Sequence, residues 1–246
     1  LPVGGFEIAV TRKVKSGLDV CDFDVILDAE HENHDHDMEY LHGHDHQHTH
    51  DHEHVHEDGS VHTHEHHHHD HSHEHHHDHG HHHEHRGLHE ILHIIEHADM
   101  TERAKETAVR IFQILAEAES KAHGVPADQV HFHEVGAVDS IVDILAVAIC
   151  LDNLDITEVI VPFLCEGQGS IRCQHGIIPV PVPAVVNIAQ AHGLTLKPTG
   201  VQGELVTPTG AAIVAAVRTS DKLPQTCRIV KIGMGAGKRE YEGTGI

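Results

Sequence analysis

The segment VHFHEVGAVDSIVDI, Val130 to Ile144, places two imidazoles and three carboxylates in a run that otherwise reads as buried. A strand through Val130–Glu134 would point His131 and His133 to one side and Phe132 to the other. Gly136 permits a sharp turn. Asp139 and Asp143 stand four apart on a helix whose other positions, Ile141, Val142, Ile144, Leu145 and Val147, are apolar, so both carboxylates share a face. Like charges at that spacing cost a few tenths of a kcal/mol on a helix, and more when half-buried. A cation or a shared proton would offset that cost. His131, His133, Glu134, Asp139 and Asp143 therefore read as a divalent-metal or acid–base site and as the catalytic group. The structural alternative makes Asp139 an N-cap, pairs Ser140 with Asp143 as a near capping box, and leaves Glu134 solvated.

A second chemistry lies upstream. All but five of the 35 histidines (the five being His123, His131, His133, His175 and His192) fall between His31 and His97. The densest groups are His66, His67, His68 and His69, then His75, His76 and His77, then His81, His82 and His83. Neutral imidazoles among carboxylates suit Ni²⁺, Zn²⁺, Cu²⁺ and Co²⁺, and composition does not choose among them. Such a tract suits metal storage better than catalysis, because a disordered segment holds no preorganised geometry; the plain alternative is a solubilising insertion. His89, His93 and His97 recur at helical spacing and read as an exposed polar stripe, the alternative being a chelating pair.

Three loops offer anion handles. EGQGSIRCQHG carries Arg172 and His175, TPTG opens a helix at Thr207 and Thr209, and GMGAGKRE carries Lys238 and Arg239. The last resembles a phosphate loop but fits neither standard pattern. Gly237-Lys238 lacks a glycine five residues before Gly237 and a following Ser or Thr, and the third glycine of G-x-G-x-x-G would fall on Lys238.

The elements that must position these residues follow from pattern. Phe6 to Val14 and Val20 to Leu27 alternate around KSG as a β-hairpin. From about Ala29 to His85 the chain is too polar to bury a core and reads as a disordered insertion. RGLHEILHIIEHADM and TERAKETAVRIFQILAEAESKAHG read as helices, the second capped by Thr101 and stopped by Gly124. VHFHE reads as a short strand, SIVDILAVAICLDNL as a buried helix and EVIVPFL as a further strand. Two more helices open at Pro183 and at Thr207-Pro208. The alternation indicates an α/β class, with α+β as its variant. The expected organisation is residues 1–28 as the hairpin part of the core, 29–86 as the metal-binding insertion and 87–246 as the α/β core.

Composition limits the function. Aromatics at 3% and no Trp leave the core to Val, Ile, Leu and Ala. Between His31 and His97, 16 acidic residues face a single basic one, Arg86, within a chain of net charge −23. That balance favours cations over nucleic acid. Five widely spaced cysteines without a C-x-x-C pair suggest neither disulfides nor a zinc knuckle and fit a reducing cytosol. No apolar run is long enough to span a membrane, and no signal-peptide pattern opens the chain. The start at Leu1 and the stop at EGTGI read as cut ends, those of a fragment.

VHFHEVGAVDSIVDI, GSIRCQHGIIPVPVPAVVNI, GELVTPTGAA and GMGAGKRE occur in order beside a His-rich insertion, and together they resemble the LarC family of nickel insertion proteins. The resemblance covers nearly the whole chain. It implies a cytoplasmic lyase-type chelatase that inserts Ni²⁺ into a thiolated pyridinium mononucleotide precursor, pyridinium-3,5-bisthiocarboxylic acid mononucleotide, with CTP and Mn²⁺ or Mg²⁺. The product would serve lactate racemase and related apo-enzymes. It further implies that the tract collects nickel, that the Val130–Ile144 group receives it, and that Arg172, His175, Thr207, Thr209, Lys238 and Arg239 hold carboxylate or phosphate groups. An acidic, Gly-rich N-terminal opening and a C-terminal domain, expected to carry nucleotide binding and homo-oligomer formation, have no counterpart here. Two rival classes remain: a nickel or zinc storage protein or metallochaperone working through the tract, and a metal-dependent hydrolase.

Overall fold

The computed structural model describes residues 1–28, 54–55, 61–62, 86–130, 132, 137–173 and 175–241. The chain forms two compact units, one of Leu1–Asp37 with Glu84–Ile246, the other of Met38–His83. Within the second, the described residues are two short antiparallel strands, β3 (His54–Val55) and β4 (Val61–His62). The expectation of disorder across 29–86 falls otherwise on residues outside those described.

The first unit opens as expected with a hairpin, β1 (Phe6–Lys15) and β2 (Leu18–Leu27), paired in register from Phe6↔Leu27 to Lys15↔Leu18. Its two-residue turn needs positive φ at both positions, met by Ser16 at 50° and Gly17 at 80°.

Among the described residues five α-helices build the core: α1 (Leu88–Glu96), α2 (Glu102–His123), α3 (Val138–Asn153), α4 (Pro183–His192) and α5 (Pro208–Val217). α2 packs against each of the other four. Its Ala104, Ala108, Ile111, Phe112, Leu115 and Ala118 recur at three- and four-residue spacing and are buried, so one stripe supplies the centre of the core. The Thr101 hydroxyl accepts from the Ala104 amide at 3.2 Å and caps α2, which ends at Gly124 with φ 69°. α4 and α5 begin with proline at the first helical position, where the missing N–H costs nothing.

The end of α3 is tied to the start of α2. Arg103 pairs with Asp152 and, at 2.9 Å, with Asp155, and the Thr101 hydroxyl donates to Asp152. The Thr101 hydrogen bond, reinforced by Arg103, outweighs desolvation and holds the Asp152 carboxyl below its ordinary pKa.

The remaining strands pair in twos. β5 (Leu164–Gln168) runs parallel to β8 (Leu196–Gln202), and β6 (Ser170–Cys173) pairs antiparallel with β7 (Gly176–Pro179). The mixed α/β class holds, built on small ladders among the described residues. Two expected strands differ. EVIVPFL forms only a bridge from Ile160 to Ser220, and the strand starts at Leu164 instead, because Pro162 lacks an N–H for a ladder. Val130 and Phe132 lie outside any strand. Phe132 is nonetheless buried, its ring edge-on to Phe112 at 6.4 Å.

Candidate functional site

Three segments far apart in sequence enclose a cleft of about 540 Å³: the β1–β2 turn (Val14, Lys15, Ser16), the stretch Glu204 to Thr207 that enters α5, and Gly237 to Tyr241. The last segment is laid beside β2 by backbone bonds, Cys21 N–H to the Met234 carbonyl at 2.8 Å and Ala236 N–H to the Cys21 carbonyl at 3.1 Å. Side chains then fasten it across the cleft. The Lys15 ammonium donates to the carbonyls of Gly237 at 2.7 Å and Arg239 at 2.6 Å. Lys238 pairs with Asp24 at 2.8 Å, Arg239 pairs with buried Glu204 at 3.3 Å, and the Tyr241 hydroxyl donates to the Glu204 carbonyl.

The lining carries three cations, Lys15, Lys238 and Arg239, against two carboxylates, Glu204 and Glu240. In a chain of net charge −23 this is a local reversal of sign. Burial works to lower the Arg239 pKa, but the hydrogen bond with Tyr241 and the charge of Glu204 outweigh it, so the guanidinium stays protonated above its ordinary value. Lys15 is bound only by carbonyl oxygens, which leaves its charge to the cleft. At the α5 entrance Thr207 accepts from Gly210 N–H at 3.1 Å and Pro208 has no N–H, so the helix offers the Thr209 amide alone in its first turn. The arrangement suits an anion of phosphate or carboxylate size.

Thr207, Lys238 and Arg239, singled out from two separate motifs, meet in this cleft; Thr209 stands in the same helical turn without lining it. Arg172 and His175 do not line it either. Arg172 is exposed on β6, and His175, in the β6–β7 turn, has its ring 4.9 Å from that of His123 at the end of α2. The His123 ring also reaches the Glu119 carboxylate at 3.5 Å.

Asp139 and Asp143 both lie on α3, Asp139 half-buried and Asp143 exposed. The N-cap is Ala137 and not Asp139; the Asp139 carboxylate accepts instead from the Ser140 amide at 2.8 Å. His131, His133 and Glu134 lie outside the described residues, as do His66, His67, His68, His69, His75, His76, His77, His81, His82 and His83. Among the described residues no three His, Cys, Asp or Glu side chains form a metal-holding group. His89 and His93 are exposed on α1 and His97 is exposed at its C-cap, with the His93 and His97 rings stacked at 4.3 Å, while Ile91, Ile94 and Ile95 face the core. No helix among the described residues is long and apolar enough to cross a membrane.

Lys15, Ser16, Glu204 and Tyr241 are cleft residues that motif reading passes over. Lys15 looks like an ordinary turn residue of a hairpin, and only the long-range pairing of β2 with the Gly235 segment brings it to the site.

Among the described residues the chain is a mixed α/β protein with a cleft lined by Lys15, Lys238 and Arg239, and its sequence carries a histidine-rich stretch. The chain belongs to the nickel insertion protein family, whose model matches residues 1–245. It is 46% identical over 246 residues to a pyridinium-3,5-bisthiocarboxylic acid mononucleotide nickel insertion protein of Alkaliphilus metalliredigens, covering all of this chain and 50% of that relative. A relative of the same description from Geobacillus kaustophilus is 46% identical over 156 residues, 63% of this chain and 37% of the relative. A putative nickel insertion protein of Geotalea uraniireducens is 46% identical over 153 residues, 62% of this chain and 39% of the relative. The chain thus spans half or less of the length of these relatives. No solved structure matches it.

Proposed function

We propose that this chain takes part in inserting Ni²⁺ into pyridinium-3,5-bisthiocarboxylic acid mononucleotide, a lyase-type chelatase reaction of nickel-pincer cofactor biosynthesis. The observation that carries the reading is the 46% identity, across the whole of this chain and half of the relative, to a protein named for that activity. The cleft supports it by bringing anion-binding candidates from two separate motifs, Thr207 and the pair Lys238 and Arg239, to one place. The precursor's phosphate or carboxylates sit against Lys15, Lys238, Arg239 and the Thr207 turn. Nickel, as substrate, is gathered by the His-rich tract and received by His131, His133, Glu134, Asp139 and Asp143. The thio groups of the precursor take it as its water and imidazole ligands leave, and carboxylates accept the displaced protons. Arg172 and His175, away from the cleft, serve a second anionic group.

CTP and its Mn²⁺ or Mg²⁺ belong to the same reading through the family resemblance. A cytoplasmic location, a homo-oligomer and delivery of the product to an apo-enzyme complete the proposal.

Calorimetric titration of the precursor tests it. Lys15→Ala combined with Lys238→Ala removes two charge-assisted contacts and weakens precursor binding about a hundredfold, at roughly 1.5 kcal/mol for each such contact. Asp139→Asn with Asp143→Asn leaves precursor affinity alone and abolishes the nickel site that tightens when precursor is present. Unchanged precursor affinity in the lysine variant would sink the cleft assignment. Nickel binding indifferent to precursor would favour the storage reading.

A further inference from the structure

Among the described residues, Tyr241 is the one aromatic side chain in the lining of the cleft, in a chain where aromatics make up only 3%. The three cations account for an anionic group, and the Tyr241 hydroxyl is used in fastening the wall. The flat ring remains to be explained. A cleft of about 540 Å³ falls in the range of sites that take a whole small molecule, about 300–1,000 Å³, and exceeds what a phosphate fills.

The ring is held from two sides. Its hydroxyl donates to the Glu204 carbonyl and bonds with Arg239. Its Cε1 side lies against Gly203, where an added Cβ would stand 3.1 Å from Cε1 and 3.6 Å from Cδ1. Gly203 has φ 111°, a conformation open to glycine and strained for other residues, so the position that makes room for the ring carries no side chain. Gly203 is itself anchored to β5. Its N–H donates to the Gln168 carbonyl at 2.9 Å, and a Cβ on Gly167 would lie 1.8 Å from its carbonyl oxygen, so the two backbones touch. Beside that contact, buried Glu166 of β5 accepts from the amides of Leu205 at 3.0 Å and Val206 at 3.1 Å. The wall from Gly203 to Val206 is tied to β5, and Tyr241 is laid on it. A ring fixed before the ligand arrives has little freedom left to lose on binding.

We propose that Tyr241 is a specificity-determining residue that makes the cleft a site for a mononucleotide in preference to a bare sugar phosphate. Its ring stacks on the aromatic ring of the ligand while Lys15, Lys238 and Arg239 serve the phosphate. The inference rests on the cleft being the site of the pyridinium mononucleotide. Stacking uses the flat face of a ring and tolerates what the ring carries, so it does not depend on the net charge of a pyridinium bearing two thiocarboxylates. One stacked ring is worth about tenfold in affinity.

The test uses this chain and two probes that share ribose and phosphate and differ in the ring, nicotinamide mononucleotide and ribose 5-phosphate. In calorimetric titration the wild-type protein binds the mononucleotide about tenfold more tightly. Tyr241→Leu brings the two affinities within about twofold, whereas Tyr241→Phe, which loses the hydroxyl and keeps the ring, retains most of the preference. A ratio unchanged in Tyr241→Leu, or lost as fully in Tyr241→Phe, would overturn the stacking role, because a merely structural Tyr241 acts through its hydroxyl and affects both probes alike. Tyr40→Phe leaves Tyr241 as the single tyrosine of the chain. Its ring-proton resonances then move upfield with the mononucleotide and not with ribose 5-phosphate, a result that decides the matter even if Tyr241→Leu fails to fold. Equal affinities in the wild-type protein, or tyrosine resonances indifferent to the ring, would overturn the role of Tyr241 while leaving the cleft as a phosphate site. Binding of neither probe by the wild-type protein would overturn the cleft reading and this inference with it.

Discussion

The helical core and the ribbon side of the molecule are built on different principles. Around α2 the apolar residues are sealed: Ile91, Ile111, Phe112, Leu115 and Ile144 have no exposed surface. On the other side, β1–β2 and the extended run from Leu223 to Tyr241 leave apolar side chains in solvent, with Val230 at 83% exposure and Val14 at 78%. What holds that side is backbone pairing to β2 and ion pairs, Lys238 with Asp24 and Arg239 with Glu204. Packing fixes the core to one arrangement, whereas charged fastenings can exchange one partner for another. The candidate site lies where the fastenings are, which suits a cleft that must admit a charged ligand.

The comparison breaks most visibly in the core. Phe112→Ala deletes a ring sealed between α2 and Phe132 and costs about 3–5 kcal/mol, read as a lower midpoint in urea unfolding. Gly167→Ala, at the seam between β5 and the cleft wall, forces a methyl into the Gly203 carbonyl and costs about 3 kcal/mol. It also weakens precursor binding, since the wall from Glu204 to Thr207 has to move. A core change such as Phe112→Ala leaves that binding intact in the folded fraction.

A smaller effect depends on pH. Because Asp152 is held below its ordinary carboxylate pKa in the folded state, it contributes stability above the unfolded value of about 4, and this is lost as pH falls through the folded pKa. Asp152→Asn therefore narrows the stability difference between pH 6 and pH 3 measured by thermal melting. An unchanged difference would show that the Thr101–Arg103–Asp152 tie does not join α2 to α3 as described. The smallest effect falls on the ribbon side: Val230→Asp changes stability by less than about 0.5 kcal/mol, because the side chain is already in water. A large loss there would mean that the exposed face is covered in solution.

Legibility in the sequence followed the range of the interactions. The hairpin, the Thr101 cap, the Gly124 stop and the proline-opened helices depend on neighbours within a few residues, and all were readable from local pattern. The strand expected over 158–164 failed locally, at Pro162, whose missing N–H outweighed a run of β-formers. The cleft was half legible. Thr207, Lys238 and Arg239 stood out as residue types, but their meeting depends on Cys21 pairing with Gly235, a contact across more than two hundred residues that no periodicity announces. Lys15 and Glu166 were invisible for the same reason: one is a turn lysine and the other a strand glutamate until the chain closes around them.

The central claim is that two regions divide the work, the His-rich tract gathering nickel and the cleft holding the organic precursor. The direct measurement is parallel titration of nickel and of precursor into the full chain and into a variant lacking residues 31–85. The account predicts that precursor affinity is unchanged, that most of the nickel capacity disappears, and that the nickel site remaining in the shortened protein tightens with precursor. Loss of precursor binding with the tract, or loss of every nickel site, would contradict the division.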